Sequence, residues 1–458
     1  MASASSQREV LEAQGNEGEP TGPPLQQPLL RRRRSDSLTD VYLFGNGEGD
    51  HVGDGGHSSP QPQQYASRRQ TFMNVMKGNI GPGCLSLPFA FSQAGSLLGP
   101  LGFFVLSSMA VYNMHLLIQC RERLKRQGRW ARTYGEVAGQ VLGKSGKPLV
   151  DTFIVLTQLG ICSVYFSFFG DSFPSDDLFG AAHEIPYPYM AALAFPVVLL
   201  LIIPKQVRSL AVFSAASNVL ICSSILWVLV ESAKQAMATD FSALKGLPLC
   251  KPEFPLFVGN SVYSLEGIGL VLPIGNSMRS TKEFRKVFFP GIITACTILW
   301  LIGTMSYFAF GKISDGSITA ELDRKGVASN AWMAAINIFL CAAVLLTYPL
   351  QLRPAAEVIA ERVLGQPAGS SGPYYGRLVL ALFTGSLAIA MGNNLGLMIG
   401  LIGSGASTML ALILPPLLDV LDDTHAPSLP RRAFHYALVA TGSVLAMLGV
   451  YVSAKDLF

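Results

Sequence analysis

From Thr71 to the C-terminus, apolar runs of 15 to 25 residues recur between short polar breaks, whereas the first 70 positions hold no such run. A bilayer core of ~30 Å takes about 20 helical residues to cross, so each run reads as a membrane-spanning helix. The pattern predicts eleven, at 71–94, 100–120, 149–170, 189–204, 209–231, 254–275, 288–311, 331–352, 377–393, 395–418 and 434–453. The fourth is short and proline-flanked, and little but Asn393 and Asn394 separates the ninth from the tenth, so ten or twelve remain compatible. The expected fold is an all-α polytopic membrane domain over 70–458. Residues 1–69, rich in Gly, Pro, Ser and Gln, bury too little apolar area to offset ordering entropy and read as a disordered cytoplasmic tail.

Composition supports the same division. Half of the residues are apolar and 14% are charged, against about 25% charged in an average soluble protein. Of the 64 charges, 16 fall in the first 70 residues, so the remainder is dissolved in lipid. A net charge of +4, scattered over the chain, does not grip a polyanion, and nucleic acid is no expected partner. The polar N-terminus has no early apolar core, so the first span itself directs insertion.

Six of the seven cysteines lie in or beside apolar runs, no CxxC or Cys/His cluster occurs, and neither metal nor cofactor is expected. No nucleophile elbow, HExxH or phosphate loop points to an enzyme. Asp419, Asp422 and Asp423 fall in the polar break after the tenth span and read as a solvated loop rather than a metal site.

Lys and Arg accumulate on the cytoplasmic side of membrane proteins. With the N-terminus inside and eleven spans, 26 of the 34 fall in inner segments, 7 in outer ones and Lys77 within the first span. The loop holding Asp171, Asp176, Asp177 and Glu184 has no Lys or Arg, as an outer loop should. In the tail, Arg31–Arg34 before Ser35 and Ser37 is suited to anionic lipid, a basophilic kinase or cytoplasmic partners, or is a plain solvated flank; Leu29-Leu30 lacks the upstream acid of a sorting signal. No Asn-x-Ser/Thr sequon occurs.

Candidate chemistry lies in two interruptions. The first span contains Gly78-Asn79-Ile80-Gly81-Pro82-Gly83, and the sixth contains Ser264-Leu265-Glu266-Gly267-Ile268-Gly269 before Leu272-Pro273. Proline lacks an N–H and glycine has a high ordering cost, so helices break there. Broken backbone inside a bilayer is tolerated only where protein buries it or water reaches it. The bared N–H groups of a half-helix then suit an anion such as a carboxylate. A packing notch or a proline kink explains the first break equally well on its own; the pair, five helices apart, predicts an inverted-repeat transporter. Glu266 costs at least ~2.5–3.5 kcal/mol to insert at membrane depth unless neutral, paired or functional. Lys77 reads as snorkelling to the cytoplasmic surface rather than pairing with it. At the end of the eighth span, Tyr348 faces either the pocket or neighbouring helices, and Thr347 either helps hold a sodium ion or bonds back to its own helix.

Five segments together resemble the amino acid/auxin permease family: GNIGPGCLSLP in the first span, TYGEVAGQVLG at 133–143, EGIGLVLP at 266–273, YPLQLRPAAEVI at 348–359 and NLGLMIGLIGSGASTMLALILPPL at 394–417. The nearest branch is that of the proton-coupled and vacuolar amino acid transporters, and the likeness covers about residues 70 to 457. It implies a LeuT-like five-plus-five inverted repeat with one extra helix, small amino acids as substrates, and a pocket lined by spans one, three, six and eight. Gly78, Gly81 and Gly83 then expose backbone N–H to the carboxylate, the break at Ser264, Glu266 and Gly267 takes the amine, Tyr165 with Tyr348 shapes the pocket, and Asn79 is a further substrate-binding residue. Where the proton-coupled branch often has a histidine, this chain has Asn74, which cannot titrate. The surrounding Thr71-Phe72-Met73-Asn74-Val75 resembles the vacuolar relatives. Coupling then moves to Glu266, with Asn74 and Thr347 as secondary candidates and the proton favoured over sodium, or simple facilitated exchange is left.

The expectation is therefore an alternating-access transporter of small neutral amino acids, proton-driven, at a vacuolar or lysosomal membrane. The same features fit an amino acid sensor passing little flux, or a permease for an aromatic acid or an amine.

Overall fold

The computed structural model describes residues 65–174, 185–203, 207–238, 246–366, 370, 372–425 and 427–457. The basic and dileucine segments of the tail, and Asp176, Asp177 and Glu184, lie outside the described residues.

The first apolar run forms α1 (Arg68–Asn79), a 3₁₀ turn (Pro82–Ser86) and α2 (Leu87–Ala94). Helix begins at Arg68, two residues inside the expected tail, because Ser67 and Gln70 make a reciprocal capping box: the Gln70 N–H donates to Ser67 Oγ and the Ser67 N–H to Gln70 Oε1. There follow α3 (Leu98–Arg126), a short α4 (Tyr134–Leu142) capped by Thr133, α5 (Gly146–Ser172), α6 (Tyr187–Leu201) and α7 (Val207–Ala238). The sixth run divides into α8 (Phe254–Ser264) and α9 (Ile268–Asn276). Next come α10 (Thr281–Phe310), a short α11 (Ile318–Arg324), α12 (Asn330–Arg362) and α13 (Tyr374–Met391). The tenth run is α14 (Leu395–Ile402), two π-helical stretches (Gly403–Ser407 and Met409–Ile413) and α15 (Leu414–Leu421); α16 (Leu429–Leu457) closes the chain.

Nine segments among the described residues are long and apolar enough to cross a membrane. The interrupted α1–α2 and the 15-residue α6 are the two others that the hydrophobic pattern marks. Several helices outrun their apolar stretches, α12 by ten residues beyond 352 and α16 by five before 434. In the α12 extension Arg353 and Glu357, one turn apart and both largely buried, pair at 2.7 Å.

Burial sorts centre from periphery. The α8–α9 segment is 78% buried over its apolar window, whereas α13 and α16 are 28% and 22% buried and face lipid. Around α8 pack α2, α14, the first π stretch and α16; α12 packs on α5 and α7, and α10 on α1, α2 and α7. The two interrupted segments thus lie at the middle of the bundle. Phe91 of α2, fully buried, meets Phe257 of α8 edge-on at 5.6 Å between ring centres, joining the two halves apolarly.

Candidate functional site

Both interruptions are real and they face each other. After Asn79 the chain is extended at Ile80 (φ −107°, ψ 99°) and Gly81 (φ −128°, ψ −172°) before helix resumes. α8 stops at Ser264, and Gly267 (φ −120°, ψ 1°) precedes α9. These backbone angles are open to any residue, so the glycines are not there for conformational freedom. Close approach explains three of them. A Cβ at Gly83 would lie 2.8 Å from Tyr263 Cε1, one at Gly78 would lie 2.8 Å from Leu270 Cδ1, and one at Gly267 would collide with the Asn79 side-chain amide. Gly81 and Gly269 differ, since a Cβ on either meets nothing within 4 Å. Open space therefore adjoins extended backbone in the first break and the start of α9 after the second.

A hydrogen bond joins the breaks directly: Ser264 Oγ donates to the Gly83 carbonyl at 2.9 Å, and its one hydrogen is shared with the Asn260 carbonyl, also at 2.9 Å. Asn79 donates its amide to the Val75 carbonyl at 2.8 Å, while its Oδ1 is buried with no hydrogen-bond partner. Such an orphan acceptor costs ~1–3 kcal/mol, and a ligand N–H would relieve it. Glu266 is half-buried, and its Oε2 lies 3.0 Å from Ser407 Oγ. No cation pairs with that carboxyl among the described residues.

Ser407 ends the first π-helical stretch. One extra residue per turn shifts the side-chain register there, as is frequent at functional sites. Ser407 was not anticipated; its only sequence signal is the small-residue run Gly403-Ser404-Gly405-Ala406-Ser407. Tyr165 of α5 is buried, interacts with the Thr347 side chain and lies within electrostatic range of Glu266. The structure thus brings Gly78, Asn79, Gly81, Gly83, Ser264, Glu266 and Gly267 together, with Tyr165 close by.

Residues 64–454 match the family model described as transmembrane amino acid transporter protein. The chain belongs to this family, the amino acid/auxin permeases. Among its relatives are amino acid transporter AVT3C of Arabidopsis thaliana, 28% identical over 418 residues, covering 86% of this chain and 92% of that protein. Amino acid transporter AVT3B of the same plant is 27% identical over 407 residues, covering 86% and 94%. The fold is similar to that of a manganese transporter from Eremococcus coleocola, solved with an aromatic bis-isothiourea substituted compound. That likeness has a TM-score of 0.51 and 16% identity, covering 84% of this chain and 86% of that one.

Other anticipated residues of this family member make their own hydrogen bonds elsewhere, although Thr347 also meets Tyr165. The Tyr348 hydroxyl is fully buried 2.8 Å from Thr384 Oγ1 on α13, and its ring meets Phe166 edge-on at 5.6 Å, so its polar end is directed to packing. Thr347 donates to its own helix, with carbonyl oxygens at 2.8 Å (Val344) and 3.2 Å (Ala343). Asn74 is buried one turn before Gly78, and Lys77 is exposed, as snorkelling requires.

The expected solvated loop at 419–423 is corrected for two of its three acids. Asp419, in the last turn of α15, is fully buried, and Asp422 is almost so. Arg123 of α3 binds both, at 2.6 and 2.8 Å, while Arg431 and His435 of α16 reach Asp419 at 3.2 and 3.1 Å. Only Asp423 is exposed, and it pairs with Arg129 at 2.8 Å. Burial raises the Asp422 carboxyl, but the Thr424 hydroxyl and amide and the Arg123 guanidinium outweigh it and hold it below the ordinary range. His425 is pushed below its ordinary value, by burial first and by Arg123 second. The cluster is a charged clasp joining α3, α15 and α16.

Proposed function

We propose that this family member is a secondary active transporter of small neutral amino acids, driven by protons and working by alternating access at a vacuolar-type membrane. Counting α1–α2 and α6 as spans gives eleven, with a five-plus-five inverted repeat, one extra helix and a cytoplasmic N-terminus. The observation that carries the reading is the meeting of the two breaks, joined from Ser264 to Gly83, with open space at Gly81 and Gly269.

In this reading Gly78, Gly81 and Gly83 direct backbone N–H groups to the carboxylate, aided by the positive end of the half-helix beginning at Pro82. Carbonyls between Ser264 and Gly267 and the orphan Asn79 Oδ1 take the ammonium group. Glu266, in contact with a hydroxyl instead of a cation, gains and loses the coupling proton, and Ser407 turns its hydrogen toward or away from it. The Thr71-Phe72-Met73-Asn74-Val75 context supports the vacuolar branch.

The test is reconstitution into liposomes with imposed pH or sodium gradients and a panel of labelled amino acids. Uptake of alanine-sized substrates that follows the pH gradient is expected. Uptake indifferent to both gradients would refute coupling, and binding without accumulation would point to a sensor.

A further inference from the structure

Between the first two turns of α1 and the second and third turns of α10 lies an open groove of about 450 Å³. Arg68, Arg69 and Lys286 form its rim, and Phe72, Met73 and Pro290 are among its apolar residues. The helical period accounts for this two-part lining. Met73 follows Arg69 by four residues and Pro290 follows Lys286 by four, so on both helices apolar surface lies one turn beyond the charge. Just past the groove the helices close up: a Cβ at Gly291 would lie 3.0 Å from Val75 Cγ1. Met73 is nonetheless 53% exposed.

The charges are only partly committed. Arg68 pairs with Glu283 at 3.0 Å, but neither Arg69 nor Lys286 has an ion-pair partner among the described residues. Pro290, lacking an N–H, leaves the Lys286 carbonyl without its helical donor and supplies an acceptor at the same level. With the N-terminus inside, these turns stand at the cytoplasmic leaflet, whose anionic lipids attract basic residues beside spanning helices. With Arg68 neutralised by Glu283, the two cations Arg69 and Lys286 still exceed the single charge of a phosphodiester, and an apolar wall one turn deeper suits an acyl chain and is of no use to a free ion.

We infer that this groove binds a multiply charged anionic phospholipid, a phosphorylated phosphatidylinositol. Arg69 and Lys286 hold its phosphates, and its acyl chain lies along Phe72, Met73 and Pro290. The site is independent of the central breaks and of the solute that is carried.

Full-length protein in neutral detergent micelles would be titrated with phosphatidylinositol 4-phosphate, with phosphatidylcholine and with soluble inositol 1,4-bisphosphate, read by native mass spectrometry. Retention of the anionic lipid alone is expected, with the soluble headgroup at least tenfold weaker. The double variant Arg69→Gln/Lys286→Gln should lower lipid affinity about thirtyfold, from two lost basic contacts, with an unchanged melting temperature in phosphatidylcholine. Lys282→Gln, exposed and off the groove, should bind within twofold of the parent. Equal retention of phosphatidylcholine, a soluble headgroup as tight as the lipid, an unaffected double variant, or an equal loss from Lys282→Gln would each overturn the inference.

Discussion

The hydroxyl of Ser264 and the carbonyl of Gly83, 181 residues apart in the chain, meet at 2.9 Å and tie one interrupted helix to the other. The same carbonyl, in the 3₁₀ turn that restarts the helix, also accepts from Ser86 Oγ at 2.8 Å. The first break is thus held from its own segment and from the second.

Two glycines of the first break should respond in opposite ways to a methyl group. Gly83→Ala forces a carbon against Tyr263 and should lower stability by about 1–3 kcal/mol, with a matching fall in folded yield by fluorescence-detected gel filtration. Gly81→Ala, which meets nothing within 4 Å, should fold normally and raise KM for uptake by narrowing the open side of the break. Equal damage from both would show that space is not what separates them.

Glu266→Gln should keep the contact with Ser407 while removing the titratable proton, so uptake should lose its pH-gradient dependence but retain exchange. Ser407→Ala should leave the dependence present with a displaced pH profile. An unaltered pH dependence in Glu266→Gln would clear this carboxyl of the coupling role.

Tyr348→Phe should cost about 0.5–1.5 kcal/mol, the value of one hydrogen bond, and leave transport near the parent level, because Thr384 keeps its bond to the Ala381 carbonyl at 3.1 Å. Tyr165→Phe, close to the breaks, loses a hydroxyl that interacts with Thr347, so it should cost a similar amount of stability but reduce uptake several-fold. Uptake assays on both variants separate packing from pocket.

Acid should loosen the clasp in two stages. His425 sits below its ordinary value of 6.5, so the fold favours its neutral form and protonation weakens it as pH falls below that value. Asp422 sits below its ordinary value of 3.8, so its contribution is whole above that pH and is lost as pH falls through the lower folded value. Melting temperatures across pH 7 to 3 should show both declines. His425→Gln should abolish the first, and Asp422→Asn should lower the plateau and abolish the second.

Much of this was legible before any coordinates. Glycine and proline at Gly78–Gly83 and Ser264–Gly269 announce broken helices, because backbone propensity is local. The reason for each glycine was not, since Tyr263, Leu270 and Asn79 come against them only in the folded chain. Ser407 stayed hidden because a π-helical register has no marked composition. Asp419 and Asp422 were misjudged for a related reason: acids beside a span end look solvated unless a distant Arg123 and Arg431 are known to cover them. The small helices α4 and α11, nine and seven residues long, are too short for a helical period to stand out from a loop.

The clasp has a consequence for biogenesis. Arg123 leaves the ribosome 296 residues ahead of Asp419, so during most of synthesis it has only headgroups and cytosolic water for company. The nascent bundle must stay open on that flank until its last two helices arrive, and a product stopped after α13 would display an unclaimed guanidinium to the quality-control machinery.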